Sequence, residues 1–338
     1  MTRKLNCRLV IVLLAGLLLP CISAQASDTN LIAQWTFDED AGMMAYDSVG
    51  GNHGTLLGNP IWTAGQVEGA LSFDGLDDYV DLSSTIQFDN KDFTIAGWFR
   101  TASNTIGTYE QIWMSGYQTV GAEDLEVVMK NNELYFYARQ ASGSYMRQSA
   151  GTANDGIWHH FTALRSGNNF LLYFDGVLAS SASKTLGDLD EPGVVPRIGN
   201  GIYTATDRFF NGSIDDIRIY DRALTAEEIE QLYWQGIGAL EFAVYCLTDA
   251  VAEKQALLEI IDETMEKEYQ AYAALEEALD TGDYDDLNKS DIVKAKQKIH
   301  SAIQHQQQSL NALEKSIEKL EDSLSALGYT PEPTDTDN

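Results

Sequence analysis

Asp215 sits where a carboxylate needs an explanation. Ile214–Tyr220 alternates like a strand, placing Asp215 on one face with Ile217 and Ile219, and Asp216, Arg218 and Tyr220 on the other. A carboxylate among isoleucines must be paired, hydrogen-bonded or bound to a metal. Backbone N–H groups at the strand end would satisfy it, and so would a cation. Asp47 and Asn52 are the second candidates. They lie in FDEDAGMMAYDSVGGNHGTLLGNPIW, residues 37–62, whose Gly, Asn and Asp content reads as a structured loop rather than a helix or strand. Hard oxygen donors beside inward-pointing carbonyls suit calcium, which takes ~6–8 oxygens. An Asx-turn network without metal uses the same residues.

Other groups have plainer readings. Asp77 and Asp78 follow the turn pair Asp74-Gly75 and read as turn acids. His159 and His160 are adjacent in a strand, so they face opposite ways and read as structural. A retaining glycoside hydrolase needs two carboxylates roughly 5 Å apart. The nearest candidate, Glu123-Asp124-Leu125-Glu126, does not fit, because adjacent acids in a strand point to opposite faces. The chain has no G-x-S-x-G and no H-E-x-x-H motif.

Short alternating segments position these groups. Leu31–Phe37, Leu71 with Phe73, Phe93–Thr101, Glu110–Tyr117, Leu125–Lys130, Glu133–Arg139, Trp158–Ser166 and Phe170–Phe174 read as strands. Asn131-Asn132 is a tight hairpin turn, and Asp175-Gly176 is another. Val194–Gly199 leads toward the closing strand. Thr225 with Glu228 has the spacing of a capping box, and Ile229, Leu232 and Tyr233 give the helix behind it one apolar side. Many short strands with Gly, Asn and Asp turns imply two antiparallel sheets packed face to face.

Four stretches, in chain order, resemble motifs of the laminin-G-like (concanavalin A-like) jelly-roll domains of bacterial secreted proteins. They are WTFDE with DSVGGNHGTL, then GALSFDGLDDYVDL, then WHH followed by YFDG, then NGSIDDIRIYDRALTAEEIEQLY. Each motif is weak alone; the four in order are specific for the fold and not for a ligand. The resemblance spans residues 31–238. It implies that the 37–62 loop meets the last strand, so that Asp47, Asn52 and Asp215 would share one structural calcium. His53 stands where the family often carries Asn, Gly or Asp, and is not taken as a ligand. Such a domain binds sugar with aromatic side chains and loop amides. Trp113, Tyr117, Tyr145 and Tyr203, in or beside polar segments, are the stacking candidates.

Both ends differ from this middle. Residues 1–26 read as a signal peptide: basic Arg3, Lys4 and Arg8, an apolar Leu9–Leu19 and an Ala24-Gln25-Ala26 cleavage site. Beyond it Cys246 is the only cysteine, which rules out an intrachain disulfide in the processed chain. After Gly238 the turn formers thin out. Ile299, Ile303, Gln306, Leu310, Leu313, Ile317, Leu320, Leu324 and Leu327 form an a/d heptad seam, and Leu258, Ile261, Met265, Tyr272, Leu275 and Leu279 form another. Glu268 and Gln306 interrupt the two seams. Two helices folding back at Thr281 into an antiparallel hairpin fit this pattern, the longer on the order of 55 Å. The hairpin reads either as a spacer or self-association device or as a brace on the sandwich. The tail, residues 329–338, is acidic and reads as disordered.

The expected architecture is therefore mainly β: a leader (1–26), an antiparallel jelly-roll sandwich (27–238), a helical hairpin (239–328) and the tail. A net charge of −29 argues against a nucleic-acid partner. No segment beyond the leader is long and apolar enough to span a membrane. The expected function is that of a secreted (extracellular or periplasmic), non-catalytic binding protein for carbohydrate or a cell-surface glycan. A structural adhesin with protein partners is one alternative, and a glycoside hydrolase on the same fold is the other.

Overall fold

Period-2 alternation builds two eight-stranded antiparallel sheets in the computed structural model, which describes residues 30–116, 123–189, 193–201, 208–282 and 289–326. The expected leader, Tyr117, Tyr203 and the expected tail lie outside these residues. The first sheet holds β1 (Leu31–Trp35), β4 (Ile61–Ala64), β5 (Gly69–Asp74), β7 (Phe93–Arg100), β12 (Trp158–Ser166), β13 (Asn169–Phe174), β14 (Val177–Ser183) and β16 (Asn211–Tyr220). Its order is β14-β13-β12-β7-β16-β5-β4, and β1 also pairs with β16. The second sheet holds β2 (Met44–Ala45), β3 (Gly54–Leu57), β6 (Tyr79–Leu82), β8 (Tyr109–Gly116), β9 (Asp124–Lys130), β10 (Glu133–Arg139), β11 (Tyr145–Thr152) and β15 (Arg197–Ile198). Its order is β11-β10-β9-β8-β15-β6-β3-β2.

The core lies between the sheets. β9 sends Leu125, Val127 and Met129 inward and β10 sends Leu134, Phe136 and Ala138; from the other sheet come Phe93, Ile95 and Phe99 of β7. Each large side chain buried there stabilises by about 1.5–3 kcal/mol. Trp113 belongs to this core. It is fully buried 6.0 Å from the Trp35 ring, so the expectation that it stacks on a ligand is corrected. The hairpin turn at Asn131-Asn132 forms as expected, with φ of 51° and 66°, a conformation Asn tolerates.

One further correction concerns strands. Residues 37–62 are not all loop, since β2, β3 and the start of β4 lie in them. Tyr145 begins β11, an edge strand of the second sheet, directly after the turn at 141–143.

Helix α1 (Ala226–Ile237) covers the outer face of the first sheet. Its capping box is formed: Thr225 N–H donates to Glu228 Oε2 at 2.8 Å and Glu228 N–H to Thr225 Oγ1 at 3.3 Å. Ile229 and Leu232 pack on Ala96, Leu164 and Tyr220. Tyr233 stacks on Trp98 at 5.5 Å. Gly236 leaves room for the Trp98 indole, which a Cβ would meet at 2.6 Å.

A second compact unit begins at Gly238. Helices α2 (Ala239–Thr281, 43 residues) and α3 (Lys289–Ala326, 38 residues) form an antiparallel hairpin. Lys254 meets Ser316, Glu268 meets Gln306 at 3.4 Å and Lys296 meets Glu276 at 2.6 Å, so positions fall on one helix as they rise on the other. The heptad seam is the shielded stripe of each helix, with Met265, Ile303, Ile317 and Leu324 buried. The two polar residues that interrupt the seams face each other. The seams of the two helices thus face each other along the hairpin. Among the described residues no helix is long and apolar enough to cross a membrane.

Candidate functional site

The second sheet carries a groove on its outer face. Where β9 and β10 alternate, the residues not in the core line it: Asp124, Glu126, Val128 and Lys130 from β9, and Tyr135, Tyr137 and Arg139 from β10. Tyr145 and Arg147 come from β11, Tyr109 from β8, and Arg208 from the approach to β16. The cavity measures about 390 Å³. Register fixes which groups meet: Arg139 is opposite both Asp124 and Tyr145, and Tyr137 is opposite both Glu126 and Arg147. Cross-strand neighbours on one face lie close enough for their side chains to touch.

Charge is concentrated in this groove. Arg139 bonds Asp124 at 2.6 Å, and Arg208 lies 3.9 Å from Glu126, which also accepts from Gln111 Nε2 at 3.2 Å. Burial pushes the Asp124 carboxyl up to about 8; neighbouring Glu126 adds to the rise and Arg139 opposes it. Tyrosine rings seat the cations. Arg208 and Lys130 lie 4.3 and 4.2 Å from the Tyr109 centroid, and Arg147 lies 5.5 Å from that of Tyr135. Each such contact contributes roughly 0.5–1 kcal/mol at exposed sites and restrains a long side chain. Tyr145 is 57% exposed and its ring lies 5.7 Å from that of Tyr137. Of the four expected stacking residues, Tyr145 alone is described on an open surface.

Sequence reasoning missed most of this groove. The signal was present, because with the exception of Val128 every second residue of Asp124–Lys130, Glu133–Arg139 and Tyr145–Ser149 is charged, aromatic or polar. Scoring adjacent acids also hid a pair: Asp124 and Glu126 are two apart and share a face.

The expected calcium donors separate. Asp47 Oδ1 accepts N–H bonds from Gln34, Val49 and Gly50 at 2.9–3.0 Å, and its Oδ2 accepts from Asn52 at 2.9 Å. Asn52 Oδ1 accepts from the N–H groups of Ser83 and Ser84 and from the Ser83 hydroxyl. Both side chains act as turn locks. Asp215 bonds a different loop, through Oδ2, from Gln66 and Val67 N–H at 2.9 and 2.8 Å. The three residues do not fit one cation as a set.

Asp215 also faces the other way from expectation. The pairing of β16 with β7 slips between Asp215 and Arg218, and Asp216 adopts φ 45°. This bulge puts Asp215 opposite Trp98, on the outer face beneath α1, while Ile214, Ile217 and Ile219 stay in the core. Asp215 is fully buried, its Oδ1 has no hydrogen-bond partner, and burial pushes its carboxyl up to about 8, with Asp216 and Asp38 adding to the rise. Asp38 Oδ1 accepts from Gly69 N–H at 2.7 Å. A Cβ on Gly65 would meet Asp215 Oδ2 at 2.6 Å and the Gly69 carbonyl; one on Gly69 would meet the Phe37 carbonyl at 2.5 Å. Phe37 holds φ 60°, a strained value for a bulky residue. Asp215, Asp38 and the Phe37 and Gly69 carbonyls thus lie around Gly65 and Gly69, oxygen donors of the kind a hard cation takes.

Elsewhere the acids are structural. Asp74, Asp77 and Asp78 are the one cluster of three potential metal-ligating carboxylates among the described residues. Asp78 accepts N–H bonds from Asn59 and Asp74, and Asp74 accepts from Leu76, as turn acids do. His159 is clamped between Asp175 (2.9 Å) and Asp155 (3.1 Å), while His160 packs against Trp98 on the opposite face.

A family model described as the concanavalin A-like lectin/glucanases superfamily matches residues 73–230. No curated protein sequence matches the chain. Among solved structures, Domain 4 of AbnA, an extracellular arabinanase from Geobacillus stearothermophilus, in complex with arabinotriose, is similar at 20% identity and a TM-score of 0.51; the match covers 61% of this chain and 98% of that domain. The binding domain of Paraclostridial Mosquitocidal Protein 1 is similar at 17% identity and a TM-score of 0.50, over 60% of this chain and 52% of that one. The chain thus spans about half the length of the mosquitocidal binding domain. These likenesses show the fold: the sandwich is of the concanavalin A-like kind.

The Asp215 carboxyl sets a pH dependence. Its folded value of about 8 lies above the ordinary 3.8, so between these pH values the native state keeps a proton that the unfolded chain has lost. Stability contributed this way is full below the unfolded value and falls as pH rises toward 8. Thermal melts in chelator-treated buffer from pH 4 to 8 should show this decline, and Asp215→Asn should make it shallower, the remainder coming from Asp124, whose carboxyl is also pushed up to about 8. An equal slope in wild type and variant would place the proton elsewhere.

Proposed function

We propose that this concanavalin A-like sandwich is a non-catalytic binding module for saccharides, and that it holds its ligand in the groove over β8–β11. One observation carries the reading: tyrosine rings and restrained cations line an open cavity of about 390 Å³, large enough for a few sugar units, on a face the core does not need. A sugar offers a flat C–H face for a ring such as Tyr145 and hydroxyls for charged groups. The arabinotriose held by the arabinanase domain agrees with a saccharide ligand without identifying it. An extracellular place of action goes with the expected leader peptide.

A glycan array of the full chain, with reducing ends assayed in the same wells, tests this. Binding should appear on a subset of glycans, Tyr145→Ala should weaken it by about tenfold or more, and no reducing sugar should be released. Binding indifferent to Tyr145 would move the site elsewhere. The second reading is hydrolysis, favoured by Asp124 and Glu126 sharing the groove floor with one carboxyl raised. Reducing ends that appear with wild type and vanish in Glu126→Gln would establish it.

Calcium enters at a narrower place than the sequence indicated: Asp215 and Asp38 with the carbonyls around Gly65 and Gly69. There it would give the Asp215 Oδ1 a partner and hold the Gly65–Gly69 loop against β16. At pH 8, calcium should raise the melting temperature of wild type and leave Asp215→Asn unmoved. Equal behaviour of the two proteins would remove calcium from this place.

A further inference from the structure

We propose, resting on the saccharide reading, that the groove selects an acidic sugar: Arg147 and Lys130 meet a carboxylate or sulfate on the ligand while the tyrosines take its ring. The chain has 22 Lys and Arg against 51 Asp and Glu, yet four of those cations converge on one groove. Two of the four are committed to groove acids, Arg139 to Asp124 and Arg208 toward Glu126. Among the described residues, Lys130 and Arg147 have no carboxylate at ion-pair distance; Arg147 lies against the Tyr135 ring, and Lys130 lies against the Tyr109 ring and donates to its hydroxyl. A ring seats a cation without cancelling its charge, so both stay available to an anion.

The lining argues in the same direction. Among the described residues it contains no Asn, Gln, Ser or Thr, the neutral groups that would read sugar hydroxyls. Its donors are guanidinium, ammonium and phenol. A guanidinium fork matches a carboxylate or sulfate edge with two parallel N–H bonds. The negative charge elsewhere on the chain does not overrule this, because exposed charges beyond about 8 Å are largely screened at physiological salt.

Calorimetry of the full chain decides, with three probes: oligogalacturonate, the same oligomer methyl-esterified to neutrality, and a sulfated galactan oligomer. The acid or the sulfate should bind at least about tenfold more tightly than the ester, and the one that does names the anion. Arg147→Gln and Lys130→Gln should each erode that preference, Arg147→Lys should keep part of it, and added salt should weaken the acidic probe alone. Should a Gln variant melt early, the acid-to-ester ratio and salt slope of wild type decide. Equal affinity for acid and ester, or a preference untouched by both Gln variants, overturns the proposal and leaves saccharide binding standing. Binding to the ester alone does the same. No binding to these probes, when neutral glycans bind on the array, overturns only the acidic selectivity; no binding to any glycan overturns both readings.

Discussion

Strict alternation along β9 and β10 is the constraint on which the rest depends. Leu125, Val127 and Met129 must point inward to fill the space between the sheets, and so must Leu134, Phe136 and Ala138. A strand that satisfies the core with every second residue leaves the other set unassigned by stability. On this sheet that set holds tyrosines, arginines, a lysine and two carboxylates. A slip of one residue would bury Arg139 and expose Phe136, so the core fixes the groove's geometry as firmly as its own. The groove stands on strands rather than loops, which suits a site that must stay open without collapsing.

The first sheet solves a different problem on its outer face. Trp98, Ala96 and Tyr220 would be exposed there, and α1 covers them with Ile229, Leu232 and Tyr233. The bulge at Asp215 and Asp216 lies at the same place. It turns one carboxylate under the Gln66–Val67 loop, where two N–H groups hold one oxygen and nothing holds the other. A buried carboxyl with half its bonding unmet needs a proton or a cation. Stability and pH are thereby linked at a point on β16, the strand hydrogen-bonded to β1, β5 and β7, and the proposed calcium would act at the same point.

Much of this was legible in the sequence. Trp158–Ser166 and Glu133–Arg139 were readable to the residue because both alternate cleanly between turn formers. The hairpin seams were legible because heptads persist over many turns. Tyr145–Thr152 was not among the strands read from the sequence, because Ser and Gly dilute an edge strand with only one buried face. Trp113 misled because Glu110–Gly116 is buried on both faces, so composition gave no direction. Asp215 misled because a bulge inserts one residue into a perfect-looking alternation, and Asp216 tolerates the left-handed backbone that makes it. The groove was hidden for a simpler reason: its residues are adjacent across strands, and pairing register is not written in any single strand.

The measurement that bears most directly on the groove is a crystal structure of the full chain with an acidic oligosaccharide bound. The account predicts a sugar ring against Tyr145 and Tyr137, with an acidic group between Arg147 and Lys130. A saccharide seated instead at the loops around Asp38 or Asp47, with the β9–β11 face bare, would contradict it.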